Sequence, residues 1–477
     1  MLFNSYIYIF LFLPITLIVY FTLNKFKLIQ ISKGWLVLAS LFYYSYWKPE
    51  YLPLILLSMI FNYSIGSTLL GKENLKINRK LILGIGIIGN IFLLGYFKYF
   101  NFLLDNFNSL LHSDFDYMKI ILPLAISFFT FQQIAYLVDS YRGETKEYDF
   151  LNYALFVTFF PQLIAGPIVH HKEMMPQFEK LRNKIFSHKN FAAGIFLFSI
   201  GLFKKAILAD TLSGFVGEGY SLVNSLNFFE SWLVMISYAL QIYFDFSGYT
   251  DMALGASMMF NIFLPQNFNS PYKATSIQDF WRRWHMTLSR FLRDYIYIPL
   301  GGNKAGKLKT YRNLFLTFLI GGLWHGANWT FIIWGAMHGV ATVIQRLWQY
   351  TKIRLPGFIG TIITFMFVCF TWAFFRADSL DSGLQMSQNM LGANGFKLPS
   401  VYHGHFRLEN INSLAFFDPT NTLYTIILSF GLLFSINSTQ ITLKFKPSFL
   451  MAVFTSIILI MGISSIGQPS EFLYFNF

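Results

Sequence analysis

Apolar stretches of about 20 residues recur along the whole chain, at roughly 3–23, 33–47, 51–70, 81–100, 120–138, 191–209, 231–262, 313–345, 358–375, 421–437 and 448–466. A helix of about that length crosses a hydrocarbon core of ~30 Å. The stretches lack the period-two alternation of barrel strands. Only 12% of the 477 residues are charged and 55% are hydrophobic, whereas a soluble domain carries roughly 25% charged residues. The expected fold is all-α: a polytopic integral membrane protein of about 11–12 transmembrane helices plus re-entrant or interfacial helices. No repeat, low-complexity tract or soluble domain interrupts residues 1–477, which read as a single domain. The first stretch, Leu2 to Leu23, has no basic n-region and no clear cleavage site, so it reads as a retained span rather than a signal peptide.

The net charge of +13 resides mainly in short loops between apolar stretches. That placement sets topology and gives no reason to expect nucleic acid. The loop lysines Lys25, Lys27 and Lys33, and the group Lys72, Lys76, Arg79 and Lys80, predict a cytoplasmic side. The multi-pass protein is expected to lie in contact with membrane lipid. Segment 150–169 is apolar but has basic flanks on both sides, Arg142 and Lys146 before it and Lys172 to Lys189 after it. It is expected to re-enter, broken at Pro161 and Gly166-Pro167. Irregular backbone at that depth survives only inside protein or beside a wet cavity, which predicts a tunnel. Cys369 is the only cysteine, so there is no internal disulfide and no cysteine-based metal site.

Two stretches carry polar groups where an apolar chain has little reason to place them. In 231–262, Gln241 and Asp245 share a helix face, and Tyr249 and Asp251 follow. Buried carboxylates need a partner; Arg282, Arg283 or Arg290 could pair with them, or they could contact substrate. Lys204 and Lys205 either snorkel to an interface or meet an anion. In 265–312 the chain is strongly basic and reads as cytoplasmic. A helix starting near Ser276 carries an apolar stripe and a polar stripe of Gln278, Arg282, His285, Ser289 and Arg293. It is expected to lie in the interface.

The apolar hairpin 313–345 turns at Gly322-Leu323-Trp324-His325-Gly326-Ala327-Asn328-Trp329. An imidazole titrates near neutrality, so it can take a proton from an alcohol and return one to a leaving group. A thioester is already activated and needs neither metal nor redox cofactor. His325 suits that role: Gly322 and Gly326 permit close backbone approach, and Asn328 could orient the ring or donate to an oxyanion. The competing reading of His325 is a packed, hydrogen-bonded helix-end histidine. His285 and His338 are further candidates. No third ligand at metal spacing stands out, so no metal is expected.

The block Asp279 to Gly302, with Trp281-Arg282-Arg283-Trp284-His285 at its centre, resembles the signature of the membrane-bound O-acyltransferase family. It is most similar to the bacterial branch that includes alginate O-acetyltransferase and the peptidoglycan O-acetylation membrane protein. Asp245 to Ala253, Gly322 to Thr330 and the aromatic C-terminus Phe472 to Phe477 agree. The resemblance implies a catalytic core near 231–345, an active histidine at His325 and a second important one at His285. Trp324, Trp284, Arg282, Ser289, Asn328, Gln241, Asp245, Tyr249 and Asp251 are the expected supporting residues. It also implies a place in the bacterial cytoplasmic (inner) membrane and no tightly bound cofactor. The donor would be a cytoplasmic acyl-CoA (acetyl-CoA) or acyl-carrier thioester, and the acceptor an extracytoplasmic polysaccharide, reached directly or through a periplasmic or extracellular esterase-fold acetyltransferase partner. D-alanyl transfer toward teichoic acid is the alternative within the family, and a membrane transporter the alternative outside it.

Overall fold

The computed structural model describes the chain except residues 72–77, 146–148, 305, 352, 399, 403–404, 408–418, 468–471 and 474–477. Lys72, Lys76, Lys146 and the last four residues of the aromatic C-terminus therefore lie outside the described residues. The described chain is helical apart from one short antiparallel hairpin, β1 (Ser400–Tyr402) with β2 (His405–Arg407). Five helical stretches are long and apolar enough to cross a membrane: Tyr8–Lys25, Pro49–Leu70, Arg79–Leu111, His188–Ser221 and Gly357–Arg376. With further apolar helices around them, this is a polytopic membrane protein.

The chain divides into two compact units. The first comprises residues 1–200, 249–265 and 445–458. Its helices are α1 (Leu13–Lys25), α2 (Ile29–Ser45), α3 (Leu52–Leu70), α4 (Arg79–Leu94), α5 (Phe100–Leu111), α6 (Ile126–Arg142), α7 (Phe150–Thr158), α8 (Phe160–Leu163), α9 (His171–Glu179) and most of α10 (His188–Phe203). Helices α3, α4 and α6 meet at buried amides. Asn90 donates to Asn62 Oδ1 at 2.6 Å, and Asn62 also bonds Gln133. An unmet amide in an apolar interior costs roughly 1–3 kcal/mol, so these bonds fix how the three helices pair.

Segment 150–169 is broken as expected. Helix α7 ends at Phe159, where the chain bends before α8, and every residue from 153 to 171 is buried. The freed backbone finds side-chain partners: Gln132 and Gln162 both donate to the Phe156 carbonyl, and Ser40 Oγ accepts from the Phe160 N–H at 3.0 Å. Such satisfaction is what irregular backbone at depth requires.

The second unit comprises residues 201–248, 266–444 and 459–477. It holds α11 (Asp210–Ser221), most of α12 (Phe228–Met259), α13 (Ile277–Trp281), α14 (Met286–Leu292), α15 (Lys307–His325), α16 (Trp329–Trp348), α17 (Gly357–Arg376), α18 (Leu380–Met390), α19 (Pro419–Phe434) and α20 (Ser438–Leu443). Helix α21 (Phe449–Ser464) begins in the first unit and ends in the second. Helix α18 falls in a stretch the sequence presents only as a mixed loop. Helices α15 and α16 form the expected hairpin and touch backbone to backbone. A Cβ on Gly335 would stand 2.5 Å from the Phe318 carbonyl oxygen, and one on Gly322 would run into the Phe331 carbonyl. Two glycines therefore set the spacing of this hairpin.

Candidate active site

The tip of the α15–α16 hairpin carries His325 as the last residue of α15. The chain turns through Gly326, where a Cβ would collide with the Phe331 ring. Asn328 then caps α16: its Oδ1 accepts the Thr330 N–H at 3.0 Å, and its Nδ2 donates to the Asp378 carbonyl at 3.2 Å. Asn328 thus ties the hairpin tip to the first turn of α16 and to the Asp378 backbone. His325 is only 2% exposed. Its ring sits among Trp324, Trp334 and Phe375 at centroid distances of 5.0, 5.1 and 5.1 Å, with Trp334 perpendicular to it. Edge-to-face packing of this kind orients a ring by shape.

His285 is held differently. The sequence predicts one amphipathic helix across Ser276–Asp294, but the structure breaks it. Ser276 Oγ caps α13 by accepting the Asp279 N–H at 3.2 Å, and α13 ends at Trp281. Helix α14 starts only after His285, whose backbone is left-handed at φ 40° and ψ 54°. A non-glycine residue pays about 1–2 kcal/mol for that conformation. Asn267 holds it in place. Its backbone carbonyl accepts the Met286 N–H at 2.9 Å, while its Oδ1 accepts the Thr287 N–H at 3.2 Å and the Thr287 hydroxyl at 2.8 Å.

Asn267 Oδ1 also lies 3.2 Å from His285 Nδ1. The Thr287 backbone N–H can only donate, so the atom facing it is the amide oxygen. His285 Nδ1 must then carry the proton, which leaves the lone pair on Nε2. Full burial pushes this imidazole down to about 3, so it stays neutral near pH 7. Phe246 packs edge-on against it at 4.8 Å, and Trp324 lies 6.4 Å away on the His325 side. Trp324 therefore stands between the two histidines. Nothing in its local sequence marks Asn267 as this clamp.

A cavity of about 540 Å3 opens along α13 and α14, and neither His285 nor His325 lines it. Its polar lining includes Gln278, Arg282, Ser289, Arg290, Arg293 and Tyr297. The predicted polar stripe thus lines one space, except for His285, which the left-handed turn drives inward. Met286, directly after His285, forms part of the wall. Trp281 forms another part and packs edge-on at 5.8 Å against Trp334, the neighbour of His325. The Trp281 indole donates to His338 Nδ1 at 3.2 Å, and His338 Nε2 lies 3.0 Å from Thr371 Oγ1. Both His338 nitrogens are engaged, so this third histidine fixes the wall instead of offering a base. Trp284 is buried among Phe280, Phe268 and Trp372 and lines packing rather than the cavity.

For Asp245 the arginine pairing is corrected. Asp245 takes Lys205 at 2.7 Å, and the same ammonium reaches Asp210 at 2.8 Å. Lys205 is buried, so it does not snorkel. It sits in a π-turn, Lys204–Ala209, that redirects it inward. The other oxygen of Asp245 accepts the Leu473 N–H at 3.0 Å, which ties down the C-terminal backbone. Gln241 Oε1, one turn earlier, is buried with no hydrogen-bond partner among the described residues. Tyr249 and Asp251 lie in the first unit, where Tyr249 packs 4.7 Å from Phe3. Among the described residues, no group of three or more His, Cys, Asp or Glu is placed to hold a metal.

The family described as MBOAT, membrane-bound O-acyltransferase family, matches residues 41–383. The chain is 44% identical to a peptidoglycan O-acetyltransferase of Helicobacter pylori, covering 100% of this chain and 98% of that one. It is 38% identical to a probable alginate O-acetylase of Pseudomonas aeruginosa, over 91% of this chain and 82% of the relative. A teichoic acid D-alanyltransferase of Bacillus subtilis is 31% identical over 53% of this chain and 68% of its own length.

Proposed function

This chain belongs to the membrane-bound O-acyltransferase family, and from that premise we propose that it transfers acetyl from a cytoplasmic thioester toward hydroxyls of peptidoglycan outside the cytoplasmic membrane, with His325 as general base. The observation that favours peptidoglycan over alginate is the end-to-end match with the peptidoglycan O-acetyltransferase. Teichoic acid D-alanylation has less support, because that relative matches only about half of the chain.

In this reading the cavity with Arg282, Arg290 and Arg293 receives the donor, because a thioester carrier brings phosphates that guanidinium groups bind well. His325 removes the proton from the acceptor hydroxyl as its oxygen attacks the thioester carbonyl. The carbon–sulfur bond breaks, and the imidazolium returns the proton to the leaving thiolate. One residue thus serves both proton transfers, and no group beyond donor and acceptor is consumed. His285 acts as a neutral ring whose Nε2 accepts a hydrogen bond. The acceptor is either glycan directly or a hydroxyl on a periplasmic acetyltransferase partner that passes the acetyl on.

The test is ester-linked acetate released by mild base from purified sacculi. Cells lacking the protein should have little, wild-type protein should restore it, and His325→Ala protein present at normal level should not. Full acetylation by that variant would remove His325 from the mechanism. Unchanged sacculi in the deletion strain, with loss of acetate from a secreted polysaccharide, would reassign the polymer.

A further inference from the structure

A separate cavity of about 620 Å3 lies within the first unit. One side is the last turn of α1 and the chain just after it, with Phe21, Lys25 and Lys27. The other is the loop leading into α10, with Lys184, Phe186 and His188. These are the ends of two stretches able to cross a membrane, Tyr8–Lys25 and His188–Ser221. The cavity therefore sits at the depth where hydrocarbon gives way to headgroups.

Its chemistry is divided. Phe21 and Phe186 meet edge-on at 5.3 Å, and Leu181 and Ile185 at the rim are largely exposed. Against them stand Lys25, Lys27 and Lys184, none of which forms an ion pair among the described residues. Lys33 adds positive potential at Lys184, and Glu179 offsets part of it. Lys27 is fixed by a tight turn, with a left-handed φ of 61° and its N–H donating to the Asn24 carbonyl at 3.0 Å. The site is thus a built concavity and not a loose basic loop. Three cations at the membrane surface beside apolar walls call for a ligand that is anionic at one end and apolar at the other. Inorganic phosphate would leave the phenylalanine walls without a partner.

We propose that this cavity binds an anionic phospholipid, with Lys25, Lys27 and Lys184 around its phosphate and Phe21 and Phe186 against the first carbons of its acyl chains. With Lys25 and Lys27 on the cytoplasmic side, as the loop charges predict, the lipid belongs to the inner leaflet.

The test is native mass spectrometry of the full-length protein released from micelles with equal amounts of dioleoyl-phosphatidylglycerol and dioleoyl-phosphatidylcholine. The wild type should retain phosphatidylglycerol at least about tenfold over phosphatidylcholine. The variant K25Q/K27Q/K184Q should lose that preference, and K25R/K27R/K184R should keep it. Should the triple glutamine variant fail to accumulate, Lys184→Gln alone should show a reduced ratio. A control K304Q/K309Q, with charge removed elsewhere, should match the wild type. Equal retention of both lipids by the wild type, or an undiminished preference in the glutamine variants, would overturn the proposal. Displacement of phosphatidylglycerol by millimolar inorganic phosphate would also overturn it, by showing a site for the free anion.

Discussion

His285 and His325 are both buried, and Trp324 packs near both, yet the groups described around them differ. His285 is clamped by hydrogen bonds: Asn267 fixes its tautomer and also the strained backbone beneath it. His325 sits inside three aromatic rings at the tip of a glycine-packed hairpin. The first arrangement preserves one protonation state. The second orients a ring through its edges and faces, which suits a group that must gain and lose a proton. The difference supports His325 as the base and His285 as a fixed neutral companion.

The comparison can be broken most severely at the charge cluster that ties α11, α12 and the C-terminal backbone together. Lys205→Met leaves the buried Asp245 and the partly buried Asp210 without their cation, and such losses cost about 3–5 kcal/mol. Thermal unfolding of the purified variant should show this, and the triple K205M/D210N/D245N should recover most of it. If the single variant unfolds like the wild type, the cluster is not a structural tie.

Next comes the clamp. Asn267→Leu removes the acceptor for the Thr287 N–H and for His285, at a cost of about 1–3 kcal/mol. It should also slow acetyl transfer, while leaving His325 in place. A variant that is less stable but fully active would show that the His285 tautomer is irrelevant to catalysis.

The pH dependence of stability is similar in size. His285 is depressed from 6.5 to about 3, so the unfolded chain binds the extra proton between those values. Stability from this group is intact above the unfolded value and is lost as pH falls toward 3. From pH 7 to pH 5 the wild type should lose ~2 kcal/mol more than His285→Gln. Equal acid sensitivity of the two proteins would mean that the imidazole is not buried in its neutral form.

Smallest is the backbone term. Glycine adopts φ 40° freely, so His285→Gly should be more stable than His285→Ala by about 1 kcal/mol. The reverse order would mean that the turn relaxes and carries no strain.

Much of this architecture was legible in the sequence, for definite reasons. Apolar length announced the spans, and the glycines around His325 announced a close-packed hairpin. Pro161 and Gly166-Pro167 announced the break in 150–169. What escaped notice depends on tertiary partners. The left-handed turn at His285 interrupts a good helical stripe only because Asn267 supplies the bonds that offset its strain. Whether Lys205 snorkelled or met an anion stayed open, because the π-turn that carries it inward leaves no mark in composition. The capping bond of Asn328 was also missed, though an asparagine just before an apolar helix is a common cap.

The most direct test of the central claim is the pH dependence of single-turnover acetyl transfer by purified protein in nanodiscs. A base must be neutral to act, so the wild-type rate should fall as pH is lowered through one protonation. His285→Gln should be slower but keep that one-proton fall at the same midpoint, because His285 does not titrate in that range. If the fall disappears or its midpoint moves in His285→Gln, the roles assigned to the two histidines are wrong.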